Sequence, residues 1–259
     1  MRSLVVTAAL IAALPVFSQQ TPGAWCFDVH SVSPTLTGHY NGTQNGQAVD
    51  FDLVRDLGLA RSGSRPVGAG LEYQGPRFGV EASVDTQNYQ GSGVLTRDVT
   101  ISGTTYRAMA TLDTKVKMTN YSFNWTIRIL RAPGFWLGVD LGVLGTTLDL
   151  NAVGSDYLLA QAVPASFKAP LPMPQVGPAA GYTTLNGRLA LRAYYHFLDY
   201  KGANYTHTGG DLRYFPWSWL GLRVFTSTES WKVPQGSIAS DLDIALDRSG
   251  TGFGLVARF

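Results

Sequence analysis

A period of two in hydrophobicity runs through this sequence and restricts the fold that it can adopt. The period is clearest over residues 120–129, where Tyr121, Phe123, Trp125, Ile127 and Ile129 alternate with five polar residues. Successive side chains of a β-strand point to opposite faces, so this segment would have one apolar face and one polar face. A helix would spread both sets around its circumference. The segment is therefore predicted to be a β-strand.

The same alternation recurs along the chain and is separated by two kinds of connection, short turns and long loops. Placing the short turns on one side predicts ten antiparallel strands, over residues 27–40, 66–74, 77–90, 115–131, 135–150, 174–182, 187–198, 203–215, 219–232 and 250–259. The predicted fold is all-β, a closed antiparallel up-and-down barrel. Eight strands is the alternative, because the first and sixth segments alternate poorly and Pro34 weakens the first.

The first eighteen residues have the pattern of a secretory signal peptide. Arg2 supplies a positive charge, residues 4–17 are largely apolar, and Ser18 is small enough for cleavage to follow it. The apolar part is too short to span a bilayer as a helix. We expect residues 1–18 to be removed and residues 19–259 to form one barrel domain.

Composition favours a barrel that lies in a membrane. Only 15% of the 259 residues are charged, whereas about 25% is usual for globular chains. Beyond the leader no apolar run approaches the 18 residues of a spanning helix, but a closed barrel also satisfies every backbone group in lipid. Aromatic residues cluster at both ends of the predicted strands, as in the girdles of membrane barrels. A secreted β-sandwich would alternate too, but it does not explain those two clusters.

The end of the chain carries a resemblance. Phe253, Leu255, Ala257 and Phe259 put an apolar residue at every second position up to a terminal Phe. This pattern resembles the assembly signal of small Gram-negative outer-membrane β-barrel proteins of eight to ten strands. The resemblance implies an outer-membrane location, surrounding outer-membrane lipid and recognition of the last strand by the barrel-assembly machinery. It does not select a function, because one fold hosts many.

The polar face of the predicted strands is rich in charge and is expected to line the lumen. The candidates for an interior charge network are Glu72, Arg77, Glu81, Asp85, Arg128, Asp140, Arg188, Arg192, Asp211, Arg213, Arg223 and Arg258. With Glu229, these make seven basic and six acidic residues, which favours mutual pairing in a poorly solvated interior. Barrels of about eight strands have just enough room for side chains, so a filled lumen is preferred over a narrow pore.

A hydrolytic site is the third interpretation. Pairing about the 215–219 turn would bring His207 opposite residue 227 and make Ser227, His207 and Glu229 neighbours at the outer rim. A His oriented by a carboxylate could activate a Ser or a water molecule. The alternative is that His207 joins the interior network. His196 is expected to belong to that network, whereas His30 and His39 show no cluster.

Two predicted loops have features of their own. In residues 49–59, Phe51, Leu53, Val54 and Leu57 could form one face of a short helix capped by Asp50. This segment could fold over or into the barrel mouth, or it could be an ordered outer loop. Five prolines between residues 164 and 178 predict an extended, polyproline-like loop.

Other classes of function lack a signal. The single cysteine excludes a disulfide framework and a Cys-type zinc site, and we find no cofactor, metal or nucleic-acid motif. We therefore expect a monomeric protein without cofactors that is not an enzyme and has a structural or surface-interaction role through its outer loops. A narrow porin for small solutes and an outer-membrane hydrolase near His207 and Glu229 are the alternatives.

Overall fold

The computed structural model describes residues 23–44, 46–59, 67–155, 162–184, 187–236 and 243–259, and these form an all-β structure. The predicted signal peptide lies outside the described residues. Within them, no helix has the length and apolar character needed to cross a bilayer.

Thirteen strands are present in these ranges. They are β1 (Ala24–Gln44), β2 (Gln47–Asp52), β3 (Val67–Gln74), β4 (Phe78–Val94), β5 (Val99–Ile101), β6 (Thr104–Tyr106), β7 (Thr111–Ala132), β8 (Phe135–Ser155), β9 (Ala162–Thr184), β10 (Leu189–Tyr200), β11 (Ala203–Tyr214), β12 (Leu220–Val233) and β13 (Asp243–Arg258).

Ten of these strands form a ring, which confirms the predicted antiparallel barrel with ten strands rather than eight. Leaving out β2, β5 and β6, each strand pairs with the strands before and after it in the ring, and β13 pairs with β1 from Arg258 opposite Cys26 to Asp243 opposite Asn41. Beyond the last pair, the Phe259 N–H donates to the Trp25 carbonyl at 3.0 Å and the Trp25 N–H donates to the Phe259 carbonyl at 2.9 Å. The first and last strands of the ring, β1 and β13, therefore close it.

The outer face of the ring is a belt of apolar side chains. Its members, each 38–60% exposed, include Phe27, Val29, Leu71, Tyr121, Phe123, Trp125, Ile127, Leu141, Val143, Tyr195, Phe197, Leu222, Val224, Phe253 and Leu255. A soluble monomer rarely exposes apolar patches of more than a few hundred Å². An outward apolar band is what a membrane barrel presents to lipid.

Not every predicted girdle aromatic faces outward. Trp136 and Phe215, near the short turns, are buried, and so are Tyr205 and Trp231 near the other end. The period of two places these four rings on the lumen side of their strands. They fill the barrel instead of contacting its surroundings.

The strands are longer than predicted, and the rim is uneven. Residues 91–114 and 151–173 lie between predicted strands, but β8 and β9 continue through most of 151–173, and β4 and β7 each extend four residues into 91–114. By contrast, the β10–β11 hairpin ends at Tyr200 and Ala203. The four long strands therefore rise beyond the β10–β11 hairpin as a wall on one side of the barrel.

The proline-rich segment is a strand and not a polyproline-like loop. Pro164, Pro170, Pro172, Pro174 and Pro178 all occupy positions of β9 that pair with β8. Because these prolines have even numbers, their missing N–H groups all fall on one edge of the strand, and β8 pairs with the other edge. Pairing with β10 is interrupted at Gly177 and Pro178, between the pairs Ala179–Tyr194 and Val176–Phe197, although the register is the same on both sides. The prolines thus mark the edge of the wall.

A lid crosses the mouth of the barrel. We use this term for β2, the turn at residues 53–57 and the β5–β6 hairpin, which extend the sheet from β1 in the order β2, β5, β6. The lid lies against the wall, with Leu59 bridged to Gly91 of β4 and β5 within 8 Å of β9 between Cα atoms.

The short helix that the sequence suggested for residues 49–59 is not formed. The segment is strand β2 followed by one turn, in which the N–H groups of Val54 and Arg55 donate to Asp52 Oδ1 at 3.0 and 2.7 Å. Asp52, and not Asp50, is thus the capping residue. The segment lies over the barrel mouth, which is one of the two placements expected from the sequence, the other being an ordered outer loop.

The lid and the wall share one apolar core. Its fully buried members include Val49, Phe51, Leu53, Leu57, Tyr89, Leu95, Val99, Ile101, Leu112, Val116, Leu150 and Tyr205. These side chains come from the lid, from the inner face of the wall and from β11. The upper lumen is therefore filled by packed hydrocarbon.

Candidate functional site in the lumen

Below the apolar core the lumen becomes polar around a cavity of about 110 Å³. Its lining includes Glu81, Ser83 and Asp85 of β4, Asn120, Ser122 and Asn124 of β7, Arg192, Tyr194 and His196 of β10, and His207, Asp211, Arg223, Ser227, Glu229 and Arg248 of β11 to β13. All of these side chains point inward because they occupy alternate positions of their strands. We call this space the central cavity.

Ion pairs connect much of the wall around the central cavity. Arg192 contacts Glu81 Oε2 at 2.5 Å and Asp140 Oδ2 at 2.8 Å. Arg223 contacts Asp28 Oδ1 at 2.9 Å and Asp211 Oδ2 at 3.1 Å.

The network continues toward the short turns and toward the lid. Toward the short turns, Arg213 contacts Asp211 Oδ2 at 2.9 Å and also pairs with Glu72. On the lid side Arg248 contacts Glu229 Oε1 at 2.5 Å. In a low-dielectric lumen, removing one partner of such a pair leaves an uncompensated charge, so these contacts fix the positions of the strands relative to one another.

Four predicted network residues lie elsewhere. Arg77 and Arg188 are exposed residues of short turns, because the strands begin only at Phe78 and Leu189. Arg128 faces inward, but its guanidinium stacks over Trp136 at 4.9 Å from the ring centroid.

Arg258 closes the bottom of the barrel. It donates to the carbonyls of Ser218 and Gly187 and covers the ring of Phe215 at 4.1 Å. Phe215 packs with Cys26 and Val256 in a small apolar cluster, next to a second cavity of about 60 Å³. The lumen is therefore narrowed below the central cavity as well as above it.

The sequence interpretation missed three members of the network. Asp28 and His30 form a pair at 2.6 Å between Oδ2 and Nδ1, and Arg248 anchors Glu229. Asp28 and His30 do alternate with Trp25, Phe27 and Val29, which was a usable signal. Arg248 was assigned to a loop, because β13 was predicted to start at residue 250 and starts at Asp243.

The predicted hydrolytic group is neither at the rim nor aligned as expected. His207 pairs directly with Glu229, and Ser227 lies opposite Gly209, so the predicted register was wrong by two residues. His207 Nε2 lies 3.5 Å from Glu229 Oε1 and 3.1 Å from the Tyr194 hydroxyl. Within the described ranges Ser227 has no hydrogen bond to His207. The group lines the central cavity beneath the buried Tyr205 and Trp231.

Ion pairs between two arginines and two aspartates, which we call the polar clamp, join parts of the lid that are distant in sequence. Arg97 contacts Asp50 Oδ2 and Asp56 Oδ2, each at 2.5 Å, and Arg55 contacts Asp56 Oδ1 at 3.0 Å. Burial alone would raise the pKa of Asp56, but hydrogen bonds from Arg55 and Arg97 lower it below its usual value of 3.8. The hydrogen bonds that Arg97 donates to Asp50 and Asp56 likewise raise the pKa of Arg97. Asp56 and Arg97 are therefore both ionised at neutral pH.

Metal chemistry of the zinc type has no site in the described part of the chain. There, no three His, Cys, Asp or Glu side chains converge in a way that could hold a metal ion. The three inward histidines instead each lie beside a carboxylate, namely Asp28, Asp140 or Glu229.

Comparisons with known proteins show the fold. No family model and no curated protein matches the sequence. Among solved structures, the outer-membrane protease OmpT from Escherichia coli is similar with a TM-score of 0.60 and 13% identity, over 96% of this chain and 99% of that chain. The Ail attachment protein of Yersinia pestis (TM-score 0.33, 13% identity, 92% of this chain and 100% of that one) is a weaker match. The translocator domain of NalP from Neisseria meningitidis is also a weak match, with a TM-score of 0.38 and 9% identity over 97% of this chain and 93% of that chain. The chain thus has the fold of Gram-negative outer-membrane β-barrel proteins.

Proposed function

We propose that this protein is an outer-membrane β-barrel with a sealed lumen, which acts through the surface of its wall and lid and neither conducts solutes nor catalyses hydrolysis. The observation that carries the proposal is the buried lid. Leu53 and Leu57 have no exposed surface, so the mouth is closed by packed apolar side chains.

A porin would need a continuous aqueous path. Here the path is interrupted by the apolar core above, by the ion-paired middle and by Phe215 and Arg258 below. The central cavity of about 110 Å³ is a small compartment within this filling.

A hydrolase would need its nucleophile and base within reach of a substrate. His207 and Glu229 lie under the core, where a peptide or lipid has no access. The similarity to OmpT at 13% identity speaks for the fold alone.

The location and the partners belong to the same proposal. The apolar belt supports contact with outer-membrane lipid. Phe253 and Leu255 lie on the exposed outer face of the closing strand β13, and Phe259, directly after it, is exposed too, which supports recognition of this strand by the barrel-assembly machinery. We propose an exported monomer whose leader, residues 1–18, is cleaved, with the wall and lid outside the cell and the short turns in the periplasm.

Bilayer conductance tests the sealed lumen. The refolded chain, shown to be folded by a heat-dependent shift in gel migration, is added to a planar bilayer in which a known porin inserts as a positive control. We expect no steady openings from this protein. Stepwise conductance that scales with its concentration would contradict the proposal.

Cysteine labelling tests the location and the orientation. Lys115→Cys on the exposed face of the wall and Arg77→Cys in a short turn each add one exposed thiol, whereas the native Cys26 is buried and provides a low background. In intact cells a membrane-impermeant maleimide should label Lys115→Cys, and it should label Arg77→Cys only after the outer membrane is permeabilised. The reverse pattern would place the wall in the periplasm.

A further inference from the structure

The second cavity, of about 60 Å³, lies at the short-turn end of the barrel. Its lining comes from positions near the strand ends on that side, among them Ala24 at the start of β1, Gln74 at the end of β3 and Arg258 at the end of β13. These three residues are half-exposed, so the cavity opens toward the solvent around the short turns. A small solute can therefore enter it from that side without crossing the apolar core.

The charged side chains in this lining are all basic. Arg128 of β7, Arg213 of β11 and Arg258 of β13 line the second cavity, whereas no Asp or Glu belongs to its lining among the described residues. The acidic side chains that line a cavity belong to the central cavity, where arginines and histidines accompany them. The short-turn end of the lumen is therefore locally positive.

Two of these arginines are held in fixed positions. Arg213 is 3% exposed and pairs with Glu72 and Asp211, while its Nε is a buried polar atom without a hydrogen-bond partner. Arg258 donates only to turn carbonyls, and no carboxylate of the described residues lies within 4 Å of it. Because a guanidinium group has five N–H donors, both arginines keep donors that no protein group accepts.

Arg128 is the arginine without a polar partner. Its guanidinium stacks over the Trp136 ring at 4.9 Å from the centroid, and its side chain has no ion pair or hydrogen bond with any described residue. Its Nε is a buried atom that lacks an acceptor. Stacking covers one face of the planar group and leaves the donors at its edge available. A buried donor is costly unless a ligand or a water molecule satisfies it, so this edge favours an acceptor in the cavity.

Size and geometry select the kind of acceptor. A volume of about 60 Å³ accommodates about four to six water-sized groups, which suits an acetate or formate ion but not a sugar or a nucleotide. The planar fork of an arginine matches a carboxylate through two parallel N–H···O bonds. Ala24, Ala190 and Phe215 add apolar surface to the lining, against which a methyl group can pack.

We propose that the second cavity binds one small carboxylate anion, of the size of acetate, against the guanidinium of Arg128. Arg213 and Arg258 supply further positive potential around it. The anion enters from the short-turn side, which the orientation proposed above puts in the periplasm. Binding needs no path through the lumen, so this site goes beyond the sealed-surface role and is tested separately from it.

The experiment titrates anions against thermal unfolding. The full chain is refolded in detergent, and its unfolding temperature is measured in sodium chloride, in rising sodium acetate at constant ionic strength, and with acetamide, which has the shape of acetate without its charge. With acetate at about ten times its dissociation constant, we expect the wild type to unfold at a temperature higher by about 3–6 °C. The increase should saturate, and acetamide should produce none.

Three variants locate the effect. Arg128→Gln should lose the saturable increase, and Arg128→Lys, which keeps the charge but not the planar fork, should need more acetate to reach it. Arg131→Gln is the matched control, because Arg131 is an exposed arginine further along the same strand that donates to the Pro76 carbonyl. It should respond to acetate like the wild type.

Several results would overturn the proposal. A wild type that does not respond to acetate would do so, as would a wild-type response in Arg128→Gln. Stabilisation by inorganic phosphate at lower concentrations than acetate, lost in Arg128→Gln, would replace the carboxylate by a tetrahedral anion.

A measurement on the wild type replaces the variants if Arg128→Gln does not fold. Methylglyoxal is a small reagent for guanidinium groups, and mass spectrometry of peptides gives the rate at which each arginine is modified. Acetate should slow the modification of Arg128 and leave that of Arg131 unchanged. Equal rates at Arg128 with and without acetate would refute the site.

Discussion

Arg97 donates two hydrogen bonds to Asp56 Oδ2, from Nε at 3.0 Å and from Nη2 at 2.5 Å, although the two residues are 41 positions apart in the chain. This contact joins the loop before β5 to the turn after β2, the two halves of the lid. The lid is thus held by a charged clamp on its polar side and by apolar packing below it.

Arg97→Ala tests the clamp. The substitution removes the contacts to Asp50 and Asp56 and leaves the apolar core in place. We therefore expect faster proteolysis within residues 47–59 and 95–110 but a barrel that still shows the heat-dependent shift on gels. Arg107→Ala, an exposed arginine of the same region, is the matched control and should be cleaved at the wild-type rate. Equal cleavage of both variants would mean that the clamp does not hold the lid.

Acidification should release the same clamp. The pKa of Asp56 is lower in the folded protein than its usual value of 3.8, so its contribution to stability is complete above that value. The contribution is lost as the pH falls through the folded-state pKa. Protease sensitivity of the lid, assayed with an acid-active protease, should rise below about pH 4 in the wild type. In Asp56→Asn this pH dependence should be reduced, and an unchanged profile would assign it to other groups.

Leu57→Ala tests the apolar seal. Leu57 has no exposed surface and packs in the core shared by the lid and the wall, so its truncation should lower the free energy of unfolding by about 2–5 kcal/mol. Val54→Ala, three residues earlier and 46% exposed, should cost less than about 1 kcal/mol. Urea titration of both variants in detergent measures the difference. Similar costs would contradict the packing of Leu57 beneath the lid.

Glu229→Gln tests the pairing inside the lumen. The neutral side chain leaves Arg248 without its carboxylate, so the free energy of unfolding should fall by about 3–5 kcal/mol. Asp247→Asn removes an exposed carboxylate from the next position of β13 and should have little effect. Stability of Glu229→Gln at the level of Asp247→Asn would show that the pair is dispensable.

Gly177→Ala tests the close approach of β9 to β10. A Cβ at this position would lie 1.8 Å from the Tyr195 carbonyl oxygen, so the backbone would have to move. We expect a barrel that refolds in low yield or unfolds at a clearly lower temperature. Gly93→Ala on the wall meets no atom within 4 Å and should refold like the wild type. Normal refolding of Gly177→Ala would contradict the register at this seam.

Much of the barrel could be predicted because alternation is a local signal. In the segment from Tyr121 to Ile129, the alternation of neighbouring residues alone indicates the strand and both of its faces. The proline-rich strand β9 could not be recognised in this way, since prolines oppose a strand unless all of their missing donors face an unpaired edge. That condition depends on where β10 ends, which is information from another part of the chain.

The lid and the cavity depend on distant contacts too. Leu53 and Leu57 are apolar, but the core that buries them also contains Leu112 and Leu150, which are far away in the sequence. In the lumen, the charge of Glu229 was visible, whereas its partner Arg248 was hidden by an error of a few residues in the start of β13. A shift of two residues in the turn between β11 and β12 likewise placed Ser227, and not Glu229, opposite His207.

The mutual hydrogen bonds between Trp25 and Phe259 have a consequence for biosynthesis. The ring is closed by pairing the first strand with the last, so no intermediate on the ribosome can have a complete barrel. A chain that lacks β13 would have two strand edges without partners, those of β1 and β12. Lipid offers nothing to satisfy them. The barrel can therefore close in lipid only after the whole of β13 has been synthesised.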